Sequence, residues 1–137
     1  MTCLIDTNVL SEFQKKSPDQ AVIRWLSARP PVTLYLSVLT IGEIRKGVEK
    51  VTDTKRRLKL LDWLEVELPA FFAGRIVAVD ASVADRWGRL MGQANRPLPA
   101  IDSLLAATAL EHGFSLVTRN AKHFTSFGLD VIDPWVA

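Results

Sequence analysis

Short apolar runs alternate along the chain with longer segments in which apolar residues recur every three or four positions. The runs lie at residues 2–5, 34–36, 76–79, 115–118 and 130–132, and each has the length and composition of a buried strand. The segments between them predict helices, because an apolar stripe at this spacing covers one side of a helix. Strands that alternate with helices form parallel sheets covered on both faces. The pattern therefore predicts an α/β fold of three layers, α/β/α, around a central parallel sheet of four to five strands.

Capping residues and prolines mark the boundaries of the predicted helices. Pro18 opens one helix, and Ser37 is a plausible N-cap for another that runs to about Lys50. Residues 53–72 predict a third, longer helix, and another helix ends at Gly113. The inward face of the long helix is predicted to consist of Leu58, Leu61, Leu64 and Leu68.

The composition indicates one globular domain, which we assign to residues 1–137. Hydrophobic residues make up 48% of the chain and charged residues 23%, and the net charge is +2. This charge neither requires nor excludes nucleic acid as a partner. The single cysteine, Cys3, cannot form an internal disulfide. Because no apolar stretch approaches the roughly 18 residues of a membrane span, and no signal peptide is recognisable, we expect a cytoplasmic protein.

Two acidic residues stand at positions that core packing does not explain. Asp6 directly follows the first predicted strand, and open α/β sheets bind ligands beyond the carboxyl ends of their strands. An Asp at this point also caps a following helix, so both interpretations stay open. Asp102 lies in a segment that is apolar on nearly every face, where a carboxylate carries a high desolvation cost unless a cation meets it. The alternative for Asp102 is an interaction with the helix dipole.

Two further polar residues are candidates with weaker individual signals. Glu43 lies in the second turn of the helix after Ser37, where it is either a site residue or a surface partner of Lys46 or Lys50. Asn120 follows the fourth predicted strand, where an Asn usually caps a helix or forms a turn.

The residues around these four positions occur together and in order in a known family. Residues 4–10, 37–47 and 99–109 look like the segments that carry its first, second and third acids. Residues 116–120 look like the strand end with its fourth Asp or Asn, and residues 131–135 fit its closing segment. The chain thus resembles the PIN-domain ribonucleases, particularly the VapC-type toxins and their FitB-like relatives of type II toxin–antitoxin systems.

The resemblance implies a metal-dependent endoribonuclease with a PIN-like fold. Asp6, Glu43 and Asp102 would hold Mg²⁺, with Mn²⁺ as a substitute, and Asn120 would complete the catalytic set. Mg²⁺ suits a few carboxylates with several retained waters, and it polarises a phosphate and activates a bound water. Many relatives have an acid where this chain has His123, so the number of metal ions, one or two, stays open.

RNA requires cations around such an acidic site, and contacts of this kind bind phosphates without reading sequence. The residues predicted to bind substrate are Arg45, Lys46, Thr118 and Arg119. Thr118 is also a candidate hydrogen-bond donor to a carboxylate. Lys15 and Lys16 are further cations after the first helical segment.

The resemblance also implies partners: a homodimer, a cognate antitoxin, and operator DNA reached only through the antitoxin complex. We expect the antitoxin to insert an Arg or Lys side chain near the acids and to dock a helix in an apolar groove beside them. Leu60, Trp63 and Val66 lie beyond the main apolar stripe of the long helix, which predicts an outer apolar surface.

Three other functions compete with this one. A receiver-like domain would use Asp80 as phosphoacceptor, but it needs a pair of acids after the first strand, where Thr7 and Asn8 follow Asp6. A haloacid-dehalogenase phosphatase needs a second Asp where Asn8 stands. We interpret Asp80 as an N-cap. The third alternative is a catalytically inactive α/β domain that acts as a binding module.

Overall fold

A five-stranded parallel sheet forms the centre of the computed structural model, which describes all residues from Met1 to Ala137. The strand order is β3-β2-β1-β4-β5, and every neighbouring pair is parallel. The strands are β1 Cys3–Ile5, β2 Leu34–Ser37, β3 Ile76–Val77, β4 Ser115–Val117 and β5 Val131–Ile132. All but β2 are one or two residues shorter than the apolar runs that predicted them. The predicted α/β fold with a parallel sheet is confirmed.

Seven α-helices flank the sheet. They are α1 Thr7–Leu10, α2 Gln20–Ser27, α3 Val38–Glu49, α4 Thr54–Asp62, α5 Leu68–Phe71, α6 Ala81–Gln93 and α7 Ala100–His112. A π-helical turn, Trp63–Glu67, joins α4 to α5. Four 3-10 turns lie at Ser11–Gln14, Pro31–Thr33, Ala121–His123 and Thr125–Phe127. None of the helices combines the length and the apolar character that a membrane crossing requires.

The sheet separates two hydrophobic cores. Successive side chains of a strand point to opposite faces, so Cys3 and Ile5 of β1 join the larger core with α2, α3 and α4, whereas Leu4 joins a smaller core built on α7. All three side chains of β1 are fully buried. Helix α7 is buried over Leu105, Ala106, Ala107, Thr108 and Ala109, which confirms the burial expected from its apolar composition.

Most of the helix boundaries follow their capping residues. Ser37 Oγ accepts a hydrogen bond from the Leu39 N–H at 3.0 Å, and Asp80 Oδ1 accepts one from the Val83 N–H at 3.0 Å. Both predicted N-caps are therefore confirmed. Gly113 ends α7 at φ +70°, a conformation that favours glycine. Helix α2 begins two residues after Pro18, because the carboxylate of Asp19 caps it.

The helix predicted over residues 53–72 is confirmed as an unbroken helical run over residues 54–71, in which the π-helical turn joins α4 to α5. Leu64 and Leu68 are buried as predicted, but Leu58 is 63% exposed although it was predicted to face inward. Leu60 and Trp63, predicted to lie on an outer surface, are each 8% exposed. Arg57 donates to the Val48 carbonyl at 3.0 Å, which ties α4 to the end of α3. In the resulting orientation of the helix the large indole of Trp63 is buried, and it removes more apolar surface from water than a leucine side chain would.

A candidate acidic site at the carboxyl end of the sheet

Asp6 occupies the carboxyl end of the central strand and is only 5% exposed. Its backbone N–H donates to the Val117 carbonyl at 2.9 Å, so the sheet holds its position. Oδ1 accepts a hydrogen bond from the Thr7 N–H at 2.7 Å, which makes Asp6 the N-cap of α1. Oδ2 accepts one from the Thr118 hydroxyl at 2.7 Å. The same carboxylate therefore caps a helix and lies at the sheet edge where ligands bind.

A hydrogen-bond network joins the loops after β1 and β4 around Asp6. Thr118 is fully buried, and its Oγ1 accepts hydrogen bonds from the Asn120 N–H at 3.1 Å and from Asn8 Nδ2 at 3.4 Å. Asn8 Nδ2 also lies 3.4 Å from Asp6 Oδ2, and Asn8 Oδ1 accepts from the Arg119 N–H at 3.2 Å. Because Thr118 is buried and its hydroxyl is bonded to Asp6, it supports that carboxylate and has no surface for the substrate contact that the sequence predicted.

Burial raises the pKa of Asp6 above its ordinary value of 3.8. The hydrogen bonds from Thr118 and Thr7 oppose this rise, whereas the negative charges of Glu43 and Asp102 add to it. The ionised carboxylate is therefore less stable here than in water, and a bound cation would remove that disadvantage.

Glu43 is connected to Asp6 through Thr7. The Thr7 hydroxyl donates to Glu43 Oε1 at 2.7 Å, while the Thr7 N–H bonds to Asp6. Glu43 is half-buried and forms no ion pair with Lys46 or Lys50, the surface role that the sequence left open. The first two candidate acids thus lie on either side of one threonine.

Asp102 is held more loosely. It lies in the first turn of α7, its side chain is 28% exposed, and His123 Nδ1 is 3.5 Å from its Oδ2. The start of the helix itself is well supported, since Trp87 Nε1 donates to Ser103 Oγ at 2.9 Å. Asn120 is exposed and its side chain caps no helix.

Hydrogen bonds bring together Asp6, Glu43 and Thr118, whereas Asp102 and His123 form a separate pair. The structure contains no cluster of three or more Cys, His, Asp or Glu side chains that is close enough to hold a metal ion. The donor chemistry nevertheless suits Mg²⁺, which prefers carboxylate oxygens and completes its shell with water, so it needs only one or two carboxylates. The negative charges of Glu43 and Asp102 raise the pKa of Asp6, and a bound Mg²⁺ would offset this repulsion.

The predicted substrate-binding cations differ in whether another side chain already engages their charge. Arg45 Nη2 lies 3.1 Å from Glu65 Oε2, and Arg45 Nη1 lies 3.8 Å from Glu49 Oε2. Two carboxylates therefore compete with any substrate phosphate for this guanidinium. Lys46 is exposed. Arg119 is also exposed, and its guanidinium carbon lies 4.8 Å from the centre of the Trp135 ring.

Sequence reasoning missed the supporting roles of Thr7 and Asn8. Both bond to Asp6, and each reaches a second segment of the site, Thr7 to α3 and Asn8 to the loop after β4. The available signal was two polar residues directly after an acid at a strand end.

Comparison with known proteins agrees with this architecture along nearly the whole chain. The PIN domain family matches residues 3–128. A protein named VapC ribonuclease Y4jK, from Sinorhizobium fredii, is 39% identical over 135 residues, which cover 96% of each chain. The protein named toxin FitB from Neisseria gonorrhoeae is 33% identical over 135 residues, covering 96% of this chain and 97% of its own.

Solved structures give the same result at the level of the fold. A crystal structure of FitAcB from Neisseria gonorrhoeae matches with a TM-score of 0.92 and 32% identity, over 99% of this chain and 100% of that one. A structure of FitAB bound to a DNA fragment matches with a TM-score of 0.90 and 31% identity, over 98% and 96%. With its sheet order, its acid at the end of the central strand and these similarities, the chain belongs to the PIN-domain family.

Proposed function

We propose that this protein is a Mg²⁺-dependent endoribonuclease and the toxin of a type II toxin–antitoxin system. The observation that carries the proposal is the buried carboxylate of Asp6, held by Thr7 and Thr118 at the end of the central strand with Glu43 beside it. A carboxylate whose ionised form is disfavoured until a cation arrives is suited to binding metal. Membership of the PIN-domain family and the ribonuclease named among its relatives support the same function.

Asp6, Glu43 and Asp102 would hold the metal, with Mn²⁺ as a substitute for Mg²⁺. The bound ion would supply charge stabilisation at the phosphate and an activated water. The residues of the chain supply position: Thr118 and Thr7 hold Asp6, and Thr7 also directs Glu43. Asn120 is exposed at the rim, where its amide would orient a water or a sugar hydroxyl.

RNA phosphates would meet cations on two sides of the site. Lys46 lies on α3 three residues after Glu43, and Arg119 follows Thr118 in the loop after β4. Arg45 would contribute only by giving up its ion pair with Glu65. Such contacts bind the backbone and leave the cleavage sequence open.

An apolar groove between α2 and the long helical segment of α4 and α5 suits the docking helix of an antitoxin. The cavity has a volume of 660 Å³ and is lined by the exposed rings of Phe13 and Phe71 and by Ile5, the residue that precedes Asp6 in the chain. A helix that buries apolar residues there would place its end near the acids, where an Arg would engage a carboxylate. Operator DNA would be reached through such a complex, as FitAB is bound to DNA in its structure.

A homodimer is the remaining proposed partner. Of the residues that the sequence offered for an outer apolar surface, only Val66 is exposed, at 59%, now together with Leu58. Support from the sequence is therefore smaller than expected, and light scattering on the purified protein tests the oligomeric state directly.

The decisive experiment is cleavage of total cellular RNA by the purified protein with Mg²⁺, with Mn²⁺ and with EDTA, followed by mapping of the cut sites. We expect cleavage with either metal and none with EDTA. Cleavage that persists in EDTA contradicts the metal mechanism. A folded protein that never cleaves RNA but binds the antitoxin is instead a binding module.

The inserted cation is tested separately. Each basic residue of the docking segment of the antitoxin is replaced by Ala, and both binding and inhibition are measured. One replacement should still bind at saturating concentration yet fail to inhibit fully. If every variant inhibits fully, the antitoxin acts by covering the groove.

A further inference from the structure

Arg119 is held beside the acidic site at both its backbone and its side chain. Its N–H donates to Asn8 Oδ1 at 3.2 Å, and Asn8 contacts Asp6. Its guanidinium carbon lies 4.8 Å from the centre of the Trp135 ring, within the range of a cation–π interaction. The residue is nevertheless exposed. A positive charge is thus fixed in place and still open to solvent.

Trp135 is in turn fixed by the body of the protein. It is partly buried and packs against the larger hydrophobic core. The backbone N–H of Trp135 donates to Asp133 Oδ1 at 2.9 Å, and the preceding Pro134 is buried. These contacts anchor the C-terminal turn, so the indole is a rigid support for the guanidinium and not a freely moving surface ring.

A buried acid lies near the same arginine. Glu12 is 3% exposed, and Lys15 Nζ lies 2.9 Å from its Oε2. The hydrogen bond from Lys15 lowers the pKa of Glu12, burial opposes this, and the Asp19 N–H and the charge of Arg119 lower it further. The positive charge of Arg119 is thus close enough to Glu12 to favour the ionised carboxylate, although the two side chains form no ion pair.

Arg45 provides a contrast. Its guanidinium forms ion pairs with Glu49 and Glu65, and a phosphate would have to displace these carboxylates. An aromatic ring attracts a guanidinium without occupying its N–H donors, so those of Arg119 stay available for a phosphate.

We propose that Trp135 is a positioning residue that holds the guanidinium of Arg119 ready to bind an RNA phosphate at the edge of the acidic site. This inference rests on the proposed ribonuclease function. The planar fork of Arg binds phosphate through two N–H groups, and a fork that is already oriented loses less conformational freedom on binding. Trp135 acts through Arg119 and makes no RNA contact of its own in this role.

The test measures binding of a labelled single-stranded RNA that the wild-type protein cleaves, using Asp102→Asn as the common background so that the RNA stays intact. Arg119→Gln should weaken binding and reduce the slope of log affinity against log salt concentration by about 0.7, the value for one phosphate contact on a single strand. Trp135→Leu should weaken binding about 5-fold, and Trp135→Phe, which keeps an aromatic ring, about 2-fold.

The double variant separates positioning from a general structural role. Trp135→Leu should have no further effect once Arg119→Gln is present. If it weakens binding equally with and without Arg119, or if neither Trp135 variant changes binding, the positioning role is wrong. Thermal unfolding is measured for each variant, and Trp135→Phe alone decides the matter if Trp135→Leu does not fold. Wild-type protein that neither binds nor cleaves RNA would instead contradict the proposed function.

Discussion

The candidate acids of the proposed metal site fall into two halves that are built differently. In the sheet half, Asp6 is 5% exposed and accepts hydrogen bonds of 2.7 Å from both Thr7 and Thr118. In the helix half, the side chain of Asp102 is 28% exposed and its one close polar neighbour is His123 at 3.5 Å. The first carboxylate is enclosed by β1 and β4, whereas the second projects from the start of α7.

This difference indicates a division of roles. Groups held by packing and hydrogen bonds keep their geometry before a ligand arrives, whereas a partly exposed side chain whose one polar neighbour is 3.5 Å away retains more rotamer freedom. Mg²⁺ keeps several waters and needs few protein ligands, so one fixed carboxylate and one adjustable carboxylate are sufficient to bind it. We infer that the sheet half determines where a metal would bind and that the helix half completes its coordination.

The largest expected effect is on RNA cleavage when the helix half loses its charge. Asp102→Asn should reduce cleavage by about 100-fold or more, because the lost carboxylate would weaken the hold on the metal ion that activates the water. Thermal stability should change little, since the side chain is partly exposed and Asn has nearly the same shape. The matched control is Asp62→Asn, an exposed acid that forms no ion pair. Full activity of the purified Asp102→Asn protein at millimolar Mg²⁺ would exclude the proposed role.

The sheet half should show a smaller loss of activity together with a loss of stability. Thr118→Val removes the hydroxyl that bonds to Asp6, which should lower activity about 10- to 100-fold and the free energy of unfolding by about 1–3 kcal/mol. Thr118→Ser keeps the hydroxyl and should retain most of both. His123→Ala, in the helix half, should change stability by less than about 0.5 kcal/mol. Equal losses of stability for Thr118→Val and His123→Ala, measured by urea unfolding, would remove the distinction between the halves.

A charge added to the helix half should have a moderate effect on metal binding. His123→Asp places a carboxylate beside Asp102, and we expect Mg²⁺ to bind about 5-fold more tightly, because charge count sets affinity at oxygen sites. His123→Asn removes the imidazole without adding charge and serves as the control. Isothermal titration with Mg²⁺ measures both, and an unchanged affinity for His123→Asp would place that position outside the metal site.

The smallest effect concerns the pH dependence of stability in the sheet half. The raised pKa of Asp6 means that its protonated form is favoured in the folded state, so its contribution to stability is present below its ordinary value of 3.8 and is lost as pH rises through the folded pKa. The side chain of Asp6→Asn stays neutral at every pH. The free energy of unfolding of this variant should therefore increase, relative to that of the wild type, as pH rises from acid to neutral. Urea unfolding in metal-free buffer at about pH 4 and about pH 8 measures this difference. If the stability advantage of Asp6→Asn over the wild type shrinks as pH rises, the pKa of Asp6 is not raised in the folded state. Added Mg²⁺ should stabilise only the wild type.

Much of the fold and of the candidate site was predictable because it depends on local patterns. Each strand was found from an apolar run, and the caps at Ser37 and Asp80 were found from their side chains. Asp6 was proposed because it follows the end of a strand, and Asp102 because a carboxylate in an apolar setting is costly. Leu58 was placed wrongly on the buried face of the long helix, since both Leu58 and Leu60 keep helical spacing with the leucines that follow, and only packing against α3 distinguishes them.

The sequence by itself determined the α/β class, the strand that Asp6 follows and the acids that are candidates for the site. These follow from periodicity, capping and desolvation, which act over a few residues. Only the tertiary structure decided that Thr7 links Asp6 to Glu43, that Thr118 is a buried support, and that Trp135 lies under Arg119. These contacts join segments far apart in the chain, and parallel pairing of β1 with β2 and β4 brings them to one edge. No local pattern encodes such a meeting, because it depends on the register and order of strands that the chain adopts only as a whole.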